Sequence, residues 1–448
     1  MRRVYLFTAS LFLSLMFIVE MAGLGSATPI PDTGQTQSYT NTFGEDSDYI
    51  INPNSYTKLD ANGNELPDSA TTWAMVRDNV TGMIWEAKNN KDGIRNYLNP
   101  HDADNVYRWF GGPECSYIDD IIGLLNSSQY GGFSNWRLPT MKELCFIINR
   151  GRVNPCIDTD FFPNTTTGTN YWSSTTWAYE TDRAWAVEFE TGWVSSWDKS
   201  SCGYVYAVSG EPFLNDFVDN GDGTVTDRST GLMWQKDALI AKTWEEALSY
   251  CENLSLGGYN DWRLPNINEL QSIIDYSRYR PTINTSYFPN TMASRYCSST
   301  TVQHNTTTAW VVDFDYGYIQ HGSKTDANYY VRAVRGGQVP TLITLSSFTA
   351  TPADKKVILA WTTESEIDNA GFNLYRSESE DGEYVKINPS LIPAEGSPTQ
   401  GAAYQFIDKG VKNRQMYLYK LEDIDLSGKS TFHDSVSATP RGIYGVER

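Results

Sequence analysis

The chain has 448 residues, of which 40% are hydrophobic and 13% aromatic, and 35 basic against 54 acidic side chains leave a net charge of −19. That content builds folded cores rather than a disordered chain, and the length corresponds to about three domains. The acidic balance argues against nucleic acid and against anionic membrane surfaces, because clustered Lys and Arg hold both.

The chain opens with Arg2 and Arg3, then an uncharged apolar run from Val4 to Val19, then the small residues Gly25, Ser26 and Ala27. This is the order of a signal peptide spanning residues 1–27, cut before Thr28. The run is short for a membrane span, and no later stretch approaches that length. The expected mature protein is secreted or held at the cell surface, without membrane insertion after cleavage.

Beyond that point the chain is duplicated. GGFSNWRLPTMKEL at 131–144 matches GGYNDWRLPNINEL at 257–270, and DNVTGMIW ending at Trp85 matches DRSTGLMW ending at Trp234. Downstream, YWSSTT at 171–176 matches YCSSTT at 296–301, and AWAVEF at 184–189 matches AWVVDF at 309–314. Blocks repeated in the same order mark two tandem units, 28–210 and 211–338. The first carries an insertion at roughly 86–112, rich in Asn, Asp and aromatics.

Capping signals start the helices. Thr243 with Glu246, Thr140 with Glu143 and Asn266 with Glu269 each place an oxygen to accept from free helix N–H groups. Behind them Trp244, Ala247, Leu248, Cys251 and Leu254 recur at helical spacing, as do Met141, Leu144, Ile147 and Ile148 in one unit and Ile267, Leu270, Ile273 and Ile274 in the other. Short alternating strands follow, such as Trp310–Phe314 and Tyr318–Gln320, and Val331–Arg335 closes the second unit. Helices followed by strands read as an α+β pattern. The six cysteines of an exported chain read as disulfides. Pairing Cys145 with Cys156, Cys115 with Cys202 and Cys251 with Cys297 keeps each bridge inside one repeat.

The series TGLMW, GGYxDWRLPxxxEL, YxSST, AWxVxF and VRAVRGG resembles the C-terminal domain family of Legionella collagen-like proteins, over about residues 31–337 in two copies. The segment Pro31-Asp-Thr-Gly-Gln-Thr36 is similar to the usual lead-in to that domain. The resemblance implies C-type-lectin-like modules in tandem, used outside the cell for ligand or glycan binding and adhesion, and no known catalytic activity. Two departures stand out. Cys297 occupies the place of Trp172, which demands a differently packed second core, and Val205–Ser209 lacks both arginines of Val331–Arg335. The net negative charge argues against glycosaminoglycans.

Trp136 and Trp262, fixed between a glycine turn and a helix, read as core, with Arg137 and Arg263 bracing a loop through bidentate contacts. The candidate ligand-binding residues are Trp193 and Trp197 in the first copy and Tyr316, Tyr318 and His321 in the second. These aromatics on loops and edges suit the apolar face of a sugar or a protein partner. Asp219 and Asp222 in DNGDGT are the one place offered to calcium, though Asp-Gly between β-branched residues reads more strongly as a hairpin turn. No other cofactor is expected.

After a Gly-Gly linker, short strands alternate with polar turns over 339–440, before a tail at 441–448. The pattern resembles a fibronectin type III domain, an all-β immunoglobulin-like sandwich with Trp361 and Tyr417 or Tyr419 in its core. H-E-x-x-H, G-x-S-x-G and phosphate-loop strings are missing. The expected function is therefore binding of a glycan or a surface protein through the two lectin-like units. An enzyme acting on glycans or protein side chains on the same scaffold, or a structural surface component, is the alternative.

Overall fold

The computed structural model describes residues 28–49, 51–336, 345–363, 369–379, 382, 384–396, 401–425, 430–433 and 435–442. The signal-peptide reading of residues 1–27 lies outside them.

The α+β lectin-like reading is corrected: 34% of the chain is in strands and only 10% in helices. Helices do begin where the capping signals put them, but they stop early. Helix α1 runs Ile118–Ser127, α2 Met141–Phe146, α3 Trp244–Glu252 and α4 Ile267–Ser272. Thr140 and Asn266 cap α2 and α4 by accepting from the N–H groups of Glu143 and Glu269. Ile147, Ile148, Ile273 and Ile274 are all buried, yet Ile147 and Ile273 already sit at the C-caps. Their apolar spacing reports a buried turn, not a continued helix, and α1 had no recognised start signal in the sequence.

Each repeat contributes one small antiparallel sheet and part of a large one. In the small sheets Trp85 pairs with Val208 and, equivalently, Trp234 with Val334. The large sheet has eight strands. From one edge the order is 241–242, 329–330, 295–301, 308–313, 318–323, 193–198, 183–188 and 170–176, the last three from the first repeat. The repeats join where Ile319 pairs with Val194 across two antiparallel central strands. On one face α2 and α4 cover this seam, and Lys142 Nζ donates to the Ser272 carbonyl at 2.6 Å. The buried aromatics Trp85, Trp185, Trp234 and Trp310 belong to one core running through both repeats.

On the other face each repeat keeps its own core, and here the copies exchange volume. Ile118 of α1 and Trp172 of the strand share the first; Trp244 of α3 and Cys297 share the second. One indole per core enters from the strand in one copy and from the helix in the other. Trp172 Nε1 donates to the Tyr107 carbonyl at 3.0 Å, so the insertion is packed onto the indole that the second copy lacks.

Cys115 and Cys202 form a disulfide. Cys145, Cys156, Cys251 and Cys297 are buried free thiols, which corrects the other two pairings. The described residues between 345 and 438 form two further antiparallel sheets around Trp361, Phe372, Leu374, Tyr417 and Tyr419. Trp361 stacks on Tyr404 at 5.1 Å with an interplanar angle of 10°.

Candidate functional site: the seam between the repeats

The strand pairing at the seam draws most of the candidate residues together. Gly192 and Gly317, both at positive φ, make the turns that lead into the two central strands, a conformation that glycine adopts without steric cost. Directly after them come Trp193 and Tyr318. Tyr318 packs on Trp185 of the other repeat at 4.9 Å and on Trp177 at 5.8 Å. Its hydroxyl lies 3.2 Å from Ser196 Oγ. Trp193 in turn reaches His321 at 5.2 Å. Each repeat thus sets its aromatic turn against the other, with Trp193 still 38% exposed.

Around Tyr316 the rings reach solvent. Tyr179 of the first repeat packs edge-on against Tyr316 at 5.1 Å and Tyr279 at 5.4 Å of the second. Tyr179 and Tyr279 are 48% and 46% exposed. Arg280 bonds to the Tyr316 hydroxyl and pairs with Asp315 at 3.1 Å, putting a fixed cation and anion at the rim. Such a surface can stack on the apolar face of a sugar ring and hydrogen-bond its hydroxyls. The sequence reading missed Tyr179 and Tyr279. Both sit in loops, and only the joining of the repeats places them side by side.

The other candidates separate from this patch. Trp197 is 37% exposed but takes no part in these ring contacts. Asp219 and Asp222 lie on a hairpin joining Phe217–Asp219 to Thr224–Asp227. Asp219 accepts from Gly221 N at 3.0 Å and pairs with Lys236 at 2.6 Å, which holds its carboxyl below the usual range. Asp222 accepts from Thr224 N. Their oxygens serve the turn. Among the described residues no group of three or more His, Cys, Asp or Glu is placed to hold a metal ion.

The insertion supplies a further cluster. Glu86, fully buried, accepts from Lys88 Nζ at 2.9 Å and meets His101 Nδ1 at 2.8 Å. His101 stacks on Tyr130 at 4.2 Å. Burial pushes the Glu86 carboxyl up, but Lys88 and His101 more than offset it, and the net shift is downward. In the second repeat Gln235 stands at this place. Gln235 accepts from Ala333 N at 3.1 Å, as Glu86 does from Ala207 N at 3.3 Å. Glu86→Gln therefore keeps the shared backbone bond while removing the anionic partner of Lys88, which retains only the Pro100 carbonyl. A loss of about 1–3 kcal/mol is expected, together with faster protease nicking between residues 89 and 105. Unchanged denaturant midpoint and nicking rate would show that the pairing does not hold the insertion.

The chain matches the family described as the Lcl C-terminal domain over residues 74–209 and 223–335. It is 29% identical over 86 residues to an amylopullulanase of Thermoanaerobacter thermohydrosulfuricus, a match spanning 19% of this chain and 5% of that enzyme. Among solved structures, an Fn3-like protein from Clostridium thermocellum is similar at 16% identity and a TM-score of 0.15, covering 23% of this chain and 97% of that one. A beta-1,2-glucanase from Parabacteroides distasonis is similar at 15% identity and a TM-score of 0.17, covering 29% and 18%.

Proposed function

Because the chain belongs to the Lcl C-terminal domain family, we propose that it is an exported, adhesive surface or secreted protein that binds glycans through the aromatic patch at the seam of its repeats. The observation that carries this reading is the exposure of Tyr179 and Tyr279, held side by side by contacts between repeats with a charged pair at the rim. Large apolar rings left in solvent at a rigid junction are more often used than tolerated. The disulfide between Cys115 and Cys202 suits an oxidising compartment, and among the described residues no helix is long and apolar enough to cross a membrane. The C-terminal pair of sheets, read as a fibronectin type III-like domain, serves as a spacer or docking unit.

The test is a glycan array with protein starting at Thr28, run with and without a calcium chelator. Binding is expected under both conditions. Tyr179→Ala with Tyr279→Ala should weaken it at least about tenfold, the equivalent of roughly 1.4 kcal/mol, while Trp197→Ala leaves it unchanged. Absence of binding, or full binding by the double variant, would remove the patch as a glycan site.

A further inference from the structure

We propose that a small monovalent anion is bound beneath the seam, between Arg150 of the first repeat and His321 of the second. Arg150 follows α2 and is only 2% exposed. Its Nη1 donates to the Gly192 carbonyl at 2.7 Å, and its guanidinium carbon lies 4.1 Å from the centre of the Trp310 ring. The remaining donors, Nε and Nη2, are buried with no hydrogen-bond partner among the described residues. Guanidinium groups stay charged at all ordinary pH values, and a buried charge is held in proteins by a partner of opposite sign.

His321 is the neighbour that completes the site. Its strand, Tyr318–Ser323, lies between the strand carrying Trp310 and the strand that follows Gly192. Trp310 pairs with it in register, the rings 4.5 Å apart. A guanidinium touching both Gly192 and Trp310 therefore lies over His321. The His321 Nε2 atom is also buried without a partner.

The charge count defines the ligand. Burial, with His304 and Arg150 nearby, holds the imidazole pKa down to about 4, so at neutral pH His321 adds no charge and, in the tautomer protonated at Nε2, one N–H donor. The Cys145 and Cys156 thiols beside Arg150 are pushed up to about 12 by burial, so they supply no thiolate. One uncompensated positive charge beside three buried nitrogens without partners among the described residues calls for one negative charge. The carboxylate of a large ligand cannot reach a group this deeply buried, which leaves a halide-sized ion. Bound there, it would tie a cation of one repeat to the indole and imidazole of the other.

Thermal unfolding in sodium chloride, compared with sodium gluconate at equal ionic strength and pH 7, tests the site. Chloride should raise the melting temperature by about 3–6 °C over gluconate, the gain growing with the logarithm of its concentration. Crystals soaked in bromide should show an anomalous peak within hydrogen-bonding reach of Arg150. Arg150→Met and His321→Phe should each abolish the chloride-specific shift; if Arg150→Met does not fold, His321→Phe decides. Coincident wild-type curves in the two salts, or a shift retained in His321→Phe, would overturn the proposal.

Discussion

Glu269→Ala is expected to destabilise the repeats by about 3–5 kcal/mol, because it strands a buried guanidinium. Arg263 Nη1 and Nη2 each donate to a Glu269 oxygen at 2.6 Å, and the two side chains are 6% and 2% exposed. Glu269 also accepts from Asn266 N at 3.0 Å, and so holds the start of α4. Arg263 donates onward to the Gly336 carbonyl at 3.0 Å, joining the motif to the closing strand. Arg137 and Glu143 repeat the arrangement in the first copy, with Arg137 22% exposed and Glu143 accepting from Phe213 N at 2.8 Å. At a loss of this size the melting temperature falls by about 6–20 °C. Removing both partners, as Arg263→Met with Glu269→Leu, should cost less than Glu269→Ala alone, because no charge is then left buried. Calorimetry of Arg263→Met, Glu269→Leu and the double variant measures the coupling. Additive losses would show that the fork contributes little as a pair.

Arg263 was legible because its partner lies six residues away, inside the repeated block. Local devices of this kind were read correctly: the capping residues Thr140 and Asn266, the buried Trp136 and Trp262, and the apolar face of α3. The exchange of Trp172 for Cys297 was visible as a difference, but its resolution needed Trp244 of α3 set beside Ile118 of α1, a pairing that only the two cores reveal. Tyr206 and Arg332 show the same limit. They differ in charge, yet each reaches the hydroxyl of a threonine at the equivalent place, Thr165 and Thr291. The fold class was misread because a buried turn after each capping box carries apolar residues at helical spacing. The seam was not legible at all. Pairing Val194 with Ile319 joins strands distant in sequence, and neither strand carries a local signal that names its partner. Tyr179 and Tyr279 consequently looked like ordinary loop residues.

The segment leading into the first repeat should be held more firmly at pH 4 than at pH 8. Asp46, completely buried, accepts from Thr33 Oγ1 and Thr300 Oγ1, both at 2.6 Å, while Glu45 accepts from Thr301 Oγ1. Asn268 donates to the Pro31 carbonyl at 3.1 Å. Residues 30–49 are thus strapped to the second repeat before the chain enters the first. The second repeat faces the strap with the acids Glu269, Glu252 and Glu245 and with Arg263 and Lys324 as the cations. Burial raises the Asp32 carboxyl from 3.8 to about 6, and burial with Asp32 nearby raises Asp46 well above its ordinary value. A carboxyl whose pKa is higher in the folded state binds its proton more tightly there. Its contribution is therefore fully present below about pH 4, where the unfolded chain is protonated too, and is lost as pH rises through about 6. For Asp32 alone the difference is about 3 kcal/mol. Hydrogen exchange over residues 30–49, corrected for the intrinsic rate, should show protection falling across that window. Asp32→Asn with Asp46→Asn should flatten the profile, because neither amide ionises. Equal protection at pH 4 and pH 8 in the native chain would mean that Arg263 and the hydrogen bonds to these carboxyls offset their burial and leave no net shift.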